Sequence, residues 1–270
     1  CMADYNTHRE FGSGDRICYH GVMDLFRNPK LSAAVYASQK TPRAPSDIVL
    51  EVSSAMALGD LPGGVPGACW VFTNAESVRL YRGNDFVAEF APDRRGRFAA
   101  LPHPPIEIND FVGSLLEKYE GMDHASALQV AAILNELRRD AMEPSPLSRA
   151  RMLSLRLGWN DVLRMYYKYI GVLGSPAAEY RFEAVWHGRA VRTVVREPSV
   201  RLEGPVHNPL LTDGPTWDCA AVSLRAIDQN GNLLPYCGEA VCLSVEGPLK
   251  ILGPSVVPLR GGMAGTYLAT

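Results

Sequence analysis

The sequence contains no uninterrupted apolar run approaching the roughly 18 residues that would suggest a membrane span. Its opening, CMADYNTHREFGSGDR, lacks the charged-then-apolar order and small-residue cleavage site of a secretory leader. Charge of one sign is lacking too: 27 Lys and Arg stand against 29 Asp and Glu, a net −2. Nucleic acid and anionic membrane are therefore not expected as partners. Cysteine is sparse and scattered, at positions 1, 18, 69, 219, 237 and 242. Cys237 and Cys242 are the nearest pair, and no CxxC pattern occurs. A chain of 270 residues does not need disulfides to stabilise its core, so the six read as mostly buried, reduced thiols. That reading favours a cytoplasmic protein.

Motifs that carry chemistry are missing as well. There is no GxSxG elbow, no HExxH, no Walker loop and no GxGxxG following a strand. The six histidines are dispersed, which argues against a metal site, and nothing calls for a cofactor. Arg94-Arg95-Arg97 and Arg138-Arg139 are not interleaved with aromatics and read as solvated faces.

What remains is an ordinary globular composition, 47% apolar and 21% charged, arranged in segments. Residues 4–20 form a polar stretch without periodicity. Pro29 suits a first helical turn, with Leu31, Ala34, Val35 and Ser38 at helical spacing, and Thr41-Pro42-Arg43-Ala44-Pro45 ends that helix. Ile48–Val52, Cys69–Thr73, Ser77–Tyr81 and Phe86–Phe90 are short β-type runs between turns such as Pro62-Gly63-Gly64 and Gly83-Asn84-Asp85, and Ile106–Ile108 could add a last strand. Helices are expected from Asn109 or Asp110 to Gly121, from Asp123 with Leu128, Ala131, Leu134 and Leu137 on one face, and from Asn160 to Gly171 with a stripe of Val162, Met165, Tyr166 and Tyr169. From 178 the pattern is β again. Tyr180–Trp186 and Val191–Arg196 flank a turn at His187-Gly188-Arg189, Cys219–Asp228 alternates, and Val241–Val245 follows the turn at Asn230-Gly231-Asn232.

Several runs resemble one family. Asp4-Tyr5-Asn6-Thr7-His8, Phe11-Gly12-Ser13-Gly14-Asp15-Arg16-Ile17-Cys18-Tyr19-His20-Gly21-Val22-Met23-Asp24 and Phe26-Arg27-Asn28-Pro29-Lys30 look like the end of the catalytic barrel in bacterial family 2 glycoside hydrolases labelled β-galactosidases. The likeness continues through Val71-Phe72-Thr73-Asn74-Ala75, Lys168-Tyr169-Ile170-Gly171, Tyr180-Arg181-Phe182-Glu183-Ala184 and Asp228-Gln229-Asn230-Gly231-Asn232. It closes on Glu246-Gly247-Pro248 and Leu259-Arg260-Gly261-Gly262-Met263, so nearly the whole chain is covered.

The resemblance implies a mainly β chain with some α: a βα remnant of a (β/α)8 barrel at 1–45, a small immunoglobulin-like β-sandwich at 46–108, a helical insert at 109–175 and a second immunoglobulin-like sandwich at 176–270. Retaining hydrolysis in such enzymes needs two carboxylates about 5 Å apart. Both are expected upstream of Cys1, in a part of the barrel that this sequence does not contain, which implies a truncated protein and no catalytic residue here. Barrel enzymes build their sites at the C-terminal ends of strands. Asp4, Tyr5, Asn6 and His8 are therefore expected to border the sugar pocket and shape substrate binding. A carbohydrate reached through the barrel is the expected partner, and a homo-oligomer is left open. The helix near 29–39 would then carry an apolar face that the barrel normally covers. The rival reading is a stand-alone carbohydrate- or protein-binding sandwich using Trp70, Trp186 or Trp217 as stacking platforms.

Overall fold

The computed structural model describes residues 1–7, 16–53, 68–140, 142–171, 178–197 and 219–270. In chain order the elements are β1 (Tyr5–Asn6), β2 (Ile17–Cys18), α1 (Leu31–Ala37), β3 (Leu50–Val52), β4 (Cys69–Thr73), β5 (Ser77–Arg82), β6 (Asp85–Phe90) and β7 (Ile106–Ile108). Then come α2 (Leu115–Glu120), α3 (His124–Arg139), α4 (Pro146–Ser154), α5 (Trp159–Tyr169), β8 (Tyr180–Trp186) and β9 (Arg189–Arg196). Last are β10 (Cys219–Arg225), β11 (Ala240–Cys242), β12 (Lys250–Ile251), β13 (Val256–Pro258) and β14 (Met263–Ala269). The chain is thus mainly β, with its longer helices gathered between β7 and β8. Two compact units result, Ala34–Ser199 and the combination of Cys1–Ala33 with Val200–Thr270. No helix among the described residues is long and apolar enough to cross a membrane.

The Ala34–Ser199 unit contains a three-stranded sheet, β3-β4-β7, and a four-stranded sheet, β6-β5-β8-β9, with every pairing antiparallel. Period-2 alternation puts Leu50, Val52, Cys69, Val71, Ile106 and Ile108 inward from the first sheet, and Val78, Leu80, Phe182 and Ala184 from the second. Each large apolar side chain removed from water contributes about 1.5–3 kcal/mol. The helices complete this core. Asp123 caps α3 by accepting from the Ser126 amide, and Ala127, Val130, Ala131, Leu134 and Leu137 line its buried face. Of the expected stripe, Ala131, Leu134 and Leu137 are buried, whereas Leu128 is 56% exposed. Val162, Met165, Tyr166 and Tyr169 of α5 are buried as their spacing predicts.

Several local expectations need correction. Asn160 lies inside α5, and the cap is Gly158, whose amide donates to the Asp161 carboxylate. Pro29 precedes α1 in an extended bridge with Met23. Asp110 accepts from the Val112 and Gly113 amides, yet the regular helix starts only at Leu115, ending on left-handed Gly121. Helix α4 was not anticipated, although Ser145-Pro146 begins it in a usual way, by side-chain cap and N1 proline. Arg138 is no solvated charge: its guanidinium lies 4.8 Å from the Phe111 ring centroid. Cysteine burial was overestimated, since only Cys18 and Cys69 are buried while Cys1, Cys219 and Cys242 are exposed.

Two polar devices fasten this unit. Asn74, buried, accepts from the Val49 amide (2.8 Å) and donates to the carbonyls of Lys40 (2.8 Å) and Asp47 (3.1 Å), while Thr73 Oγ1 donates to the Val49 carbonyl. The chain leading into β3 is thereby pinned to the β4–β5 turn. At the other end the Glu120 carboxylate, only 11% exposed, accepts from Lys168 (2.7 Å), Tyr169 (2.7 Å) and Arg164 (3.2 Å). The Lys168 hydrogen bond, followed by those from Tyr169 and Arg164, holds the Glu120 carboxyl at about 2 against the opposing effect of burial.

The other unit has a thinner core. Strand β14 pairs with β10 on one side and β12 on the other, and β11 pairs with β13. Ala226, Val257, Leu259 and Ala264 form the buried cluster. Asp228 organises the turn before β11 by accepting from the Asn230 and Asn232 amides and the Asn232 side chain.

Asn74→Ala strands a buried amide and two carbonyls, so a loss of about 2–3 kcal/mol is expected from urea unfolding. An unchanged midpoint would show that the pin contributes nothing. Because the folded pKa of Glu120 lies below its ordinary 4.5, the stabilisation from this network is complete above that value and disappears as pH falls towards 2. Glu120→Gln should therefore cost on the order of 1 kcal/mol at neutral pH, with the gap to the parent chain closing in acid. A gap that persists at the lowest pH reached with folded protein would refute the electrostatic account.

Candidate functional site

The described residues among the first thirty, 1–7 and 16–30, pack backbone against backbone. The backbone runs parallel to its own continuation: the amides of Val22 and Met23 donate to the carbonyls of Cys1 (3.2 Å) and Met2 (3.1 Å), and the Asp4 amide donates to Met23 (2.9 Å). Strand β1 pairs antiparallel with β2, Tyr5 opposite Cys18 and Asn6 opposite Ile17. This arrangement buries Asp4, which is only 4% exposed. Its Oδ1 accepts from the Gly21 amide (2.9 Å) and from Lys30 Nζ (2.7 Å), and Lys30 also donates to the Tyr19 carbonyl (3.0 Å). Gly21 is required by proximity: a Cβ there would fall 2.1 Å from the Asp4 amide nitrogen, against backbone that cannot yield.

A second anchor follows directly. Asp24 accepts from the amides of Phe26 and Asn28 and from the Asn28 side chain, each at 2.8 Å. Arg27 sits in the left-handed region within this turn, at φ 67°. Asn28 Nδ2 then donates to the Ala264 carbonyl (3.1 Å), and the Phe26 ring fills the space over Gly265 and meets Tyr267 at 5.6 Å. Arg260 donates to the Tyr19 hydroxyl and lies 5.5 Å from its ring centroid. The segment that clamps Asp4 is therefore itself seated on β14.

Of the expected site residues, Asp4 is enclosed, whereas Tyr5 and Asn6 are exposed on β1. His8 lies outside the described residues, as does Trp217. Trp70 packs edge-on against Phe98, with centroids 5.8 Å apart, and Trp186 packs on the sheet core and the His187 ring. Sequence reading missed Gly21, Asp24 and Lys30 as the groups that hold the segment. No fixed spacing links them to Asp4, so only the fold reveals the connection.

The chemistry open to this arrangement is limited. Asp4 Oδ1 is taken up by the Lys30 ammonium and the Gly21 amide. Among the described residues, no group of three or more His, Cys, Asp or Glu could hold a metal. The Cys237 thiol, which donates to Glu239, is pushed up by burial and by that hydrogen bond, and so is held in its unreactive form. The segment can position and present polar side chains.

The architecture is that of a β-rich region of the kind found in large glycosidases. A β-glycosidase from Bacteroides vulgatus matches 99% of the chain with a TM-score of 0.55 at 13% identity, over 26% of its own length. A β-glucuronidase from glycoside hydrolase family 2 matches 99% with a TM-score of 0.52 at 12% identity, over 22% of its length. Curated relatives agree in sequence: a β-galactosidase of Thermoanaerobacterium thermosulfurigenes is 30% identical over 263 residues, 97% of this chain. One from Thermoanaerobacter pseudethanolicus is 29% identical over 99% of the chain, and one from Rhizobium meliloti 27% identical over 99%. The chain spans 29% of the length of each of these three. No family model matches the sequence. The chain thus resembles part of a family 2, β-galactosidase-like glycoside hydrolase along nearly its whole length.

Removing the ammonium should expose how far Asp4 depends on it. Lys30→Met leaves a buried carboxylate with one amide donor, and a cost of about 2–3 kcal/mol is expected. Asp4→Asn combined with Lys30→Met should be less damaging than Lys30→Met alone, because Asn can still accept from Gly21. Additive losses in that cycle would show that the pair is not coupled.

Proposed function

We propose that the chain is the C-terminal, non-catalytic region of a retaining glycoside hydrolase acting on β-galactosides or related glycosides, beginning at the last strand of the catalytic barrel. The observation that carries this reading is the 30% identity to a β-galactosidase over 97% of the chain, which spans 29% of that relative. In this reading the β-sheets brace the barrel. The segment from Asp4 borders the sugar pocket, with Asp4 held by Lys30 and Gly21, and Asp4, Tyr5, Asn6 and His8 shape substrate binding. The acid/base and nucleophilic carboxylates belong to the upstream barrel.

Helix α1 fits the same picture. None of its seven residues is buried, and Leu31 and Tyr36 are 43% and 69% exposed. In this reading these exposed apolar side chains promote self-association of the chain, so Leu31→Ser with Tyr36→Ser should reduce both hydrophobic-dye binding and the apparent mass in light scattering. Unaltered dye binding would place the exposed apolar surface elsewhere.

The deciding experiment is hydrolysis of a panel of chromogenic β-glycosides by the purified chain with its mass confirmed. No turnover above background is expected. Turnover that survives further purification would overturn the non-catalytic reading and make Asp4, Glu10 and Asp15 the residues to replace.

A further inference from the structure

The Ala34–Ser199 unit contains a cleft of about 370 Å³ that plays no part in the reading above. It lies where the β5–β6 turn and the start of β8 meet α2 and the end of α5, and its volume falls within the range of small-molecule sites, about 300–1,000 Å³. Its wall combines Leu115 and Ala178 with two tyrosines, Tyr119 and Tyr169, and four charged side chains, Arg82, Asp85, Lys168 and Glu179.

Three features narrow what such a wall could hold. First, its formal charge balances, two cations against two carboxylates, so neither an anion nor a cation meets a field of one sign. Second, its polar groups are held in place. Asp85 accepts from Lys118 and from the Tyr119 hydroxyl, Lys168 and the Tyr169 hydroxyl both donate to Glu120, and Arg82 donates to the carbonyls of Lys168 and Tyr169 at the end of α5. Groups fixed in advance lose little freedom when a ligand arrives. Third, two groups are available at the rim. Tyr119 is 50% exposed, with the Lys118 and Lys168 ammoniums 5.0 and 5.7 Å from its ring centroid, and the exposed Glu179 carboxylate has no ion pair or side-chain hydrogen bond among the described residues. Donors, acceptors and aromatic surface around a neutral, partly apolar space suit a ligand with hydroxyls on its edge and C–H groups on its faces.

We infer that this cleft binds a neutral saccharide, one or two pyranose rings in size, with Glu179 accepting from ring hydroxyls and Tyr119 lying against the ring. The inference rests on the cleft itself and not on the hydrolase reading, because it is measured as binding by a chain from which no turnover is expected. Isothermal titration of the 270-residue chain with galactose, lactose, mannose and glucose, and with glucuronate, sulfate and spermidine as charged probes, tests it. Saturable binding of at least one neutral sugar is expected, weakened at least fivefold by Glu179→Ala and by Tyr119→Ala. Glu179→Ala removes no fold contact among the described residues, so it reports on the cleft even if Tyr119→Ala destabilises the chain. Three results would overturn the inference: no saturable binding of any neutral sugar, sugar binding unaffected by Glu179→Ala, or binding of the charged probes alone. None of these would alter the reading drawn from chromogenic glycosides.

Discussion

Most of the described structure in the Ala34–Ser199 unit depends on one pairing, that of β5 with β8. Ser77–Arg82 and Tyr180–Val185 run antiparallel in continuous register, although roughly a hundred residues of chain separate them. Closing a loop of that length costs only about 0.6 kcal/mol more for each doubling, so a set of helices can be carried between two adjacent strands at little entropic cost. Once the pair forms, β9 is placed beside β8. Arg192 and Arg196 then reach the carbonyls of Ile48 and Val52 and tie β9 to the backbone leading through β3. The helices in turn find an apolar floor already prepared for Leu134, Leu137, Met165 and Tyr169.

This long-range pairing is also where sequence reading reached its limit. Alternation located β4, β5, β6, β7, β8 and β9 to within a residue or two, because burial on one face of a sheet leaves a period of two in the sequence. Periodicity cannot say which strand adjoins which, and nothing in Tyr180–Trp186 announces Ser77–Arg82 as its neighbour. The helix ends show a similar division. Asp123 was legible as a cap because a side-chain acceptor at the right offset has few other uses. The cap of α5 was not, because Gly158 offers no side chain and the role falls to Asp161 one turn later. Helix α4 was overlooked because it buries little apolar surface, Ser148 being its one buried residue, so the amphipathic signal is faint.

At the polar N-terminal segment the sequence supplied the residues and the fold supplied their relation. Asp4 is prominent in a run of polar residues, yet its partners lie 17 and 26 positions away, at Gly21 and Lys30. A resemblance to glycosidases singled out Asp4, Tyr5, Asn6 and His8 together. The geometry separates the buried carboxylate, occupied by its ion pair, from Tyr5 and Asn6 on the surface. A carboxylate neutralised in this way organises backbone; exposed neighbours on the same short strand are left to meet whatever the loop approaches.

The seat of Phe26 on β14 has a consequence for biosynthesis. Gly265 is bare at the one point where the Phe26 ring comes down, and an added Cβ would fall 2.2 Å from the ring carbon. Phe26 leaves the ribosome 239 residues ahead of Gly265. Until β14 is made, Phe26 and the turn built by Asp24 and Asn28 have no strand to rest on, and the Asn28 amide has no Ala264 carbonyl to bond. This unit can therefore mature only after the last strand emerges, while Ala34–Ser199 is free to fold earlier in the same synthesis. Nascent chains arrested before Met263 would carry a folded Ala34–Ser199 unit and an unseated Phe26, a form that chaperones and proteases can recognise.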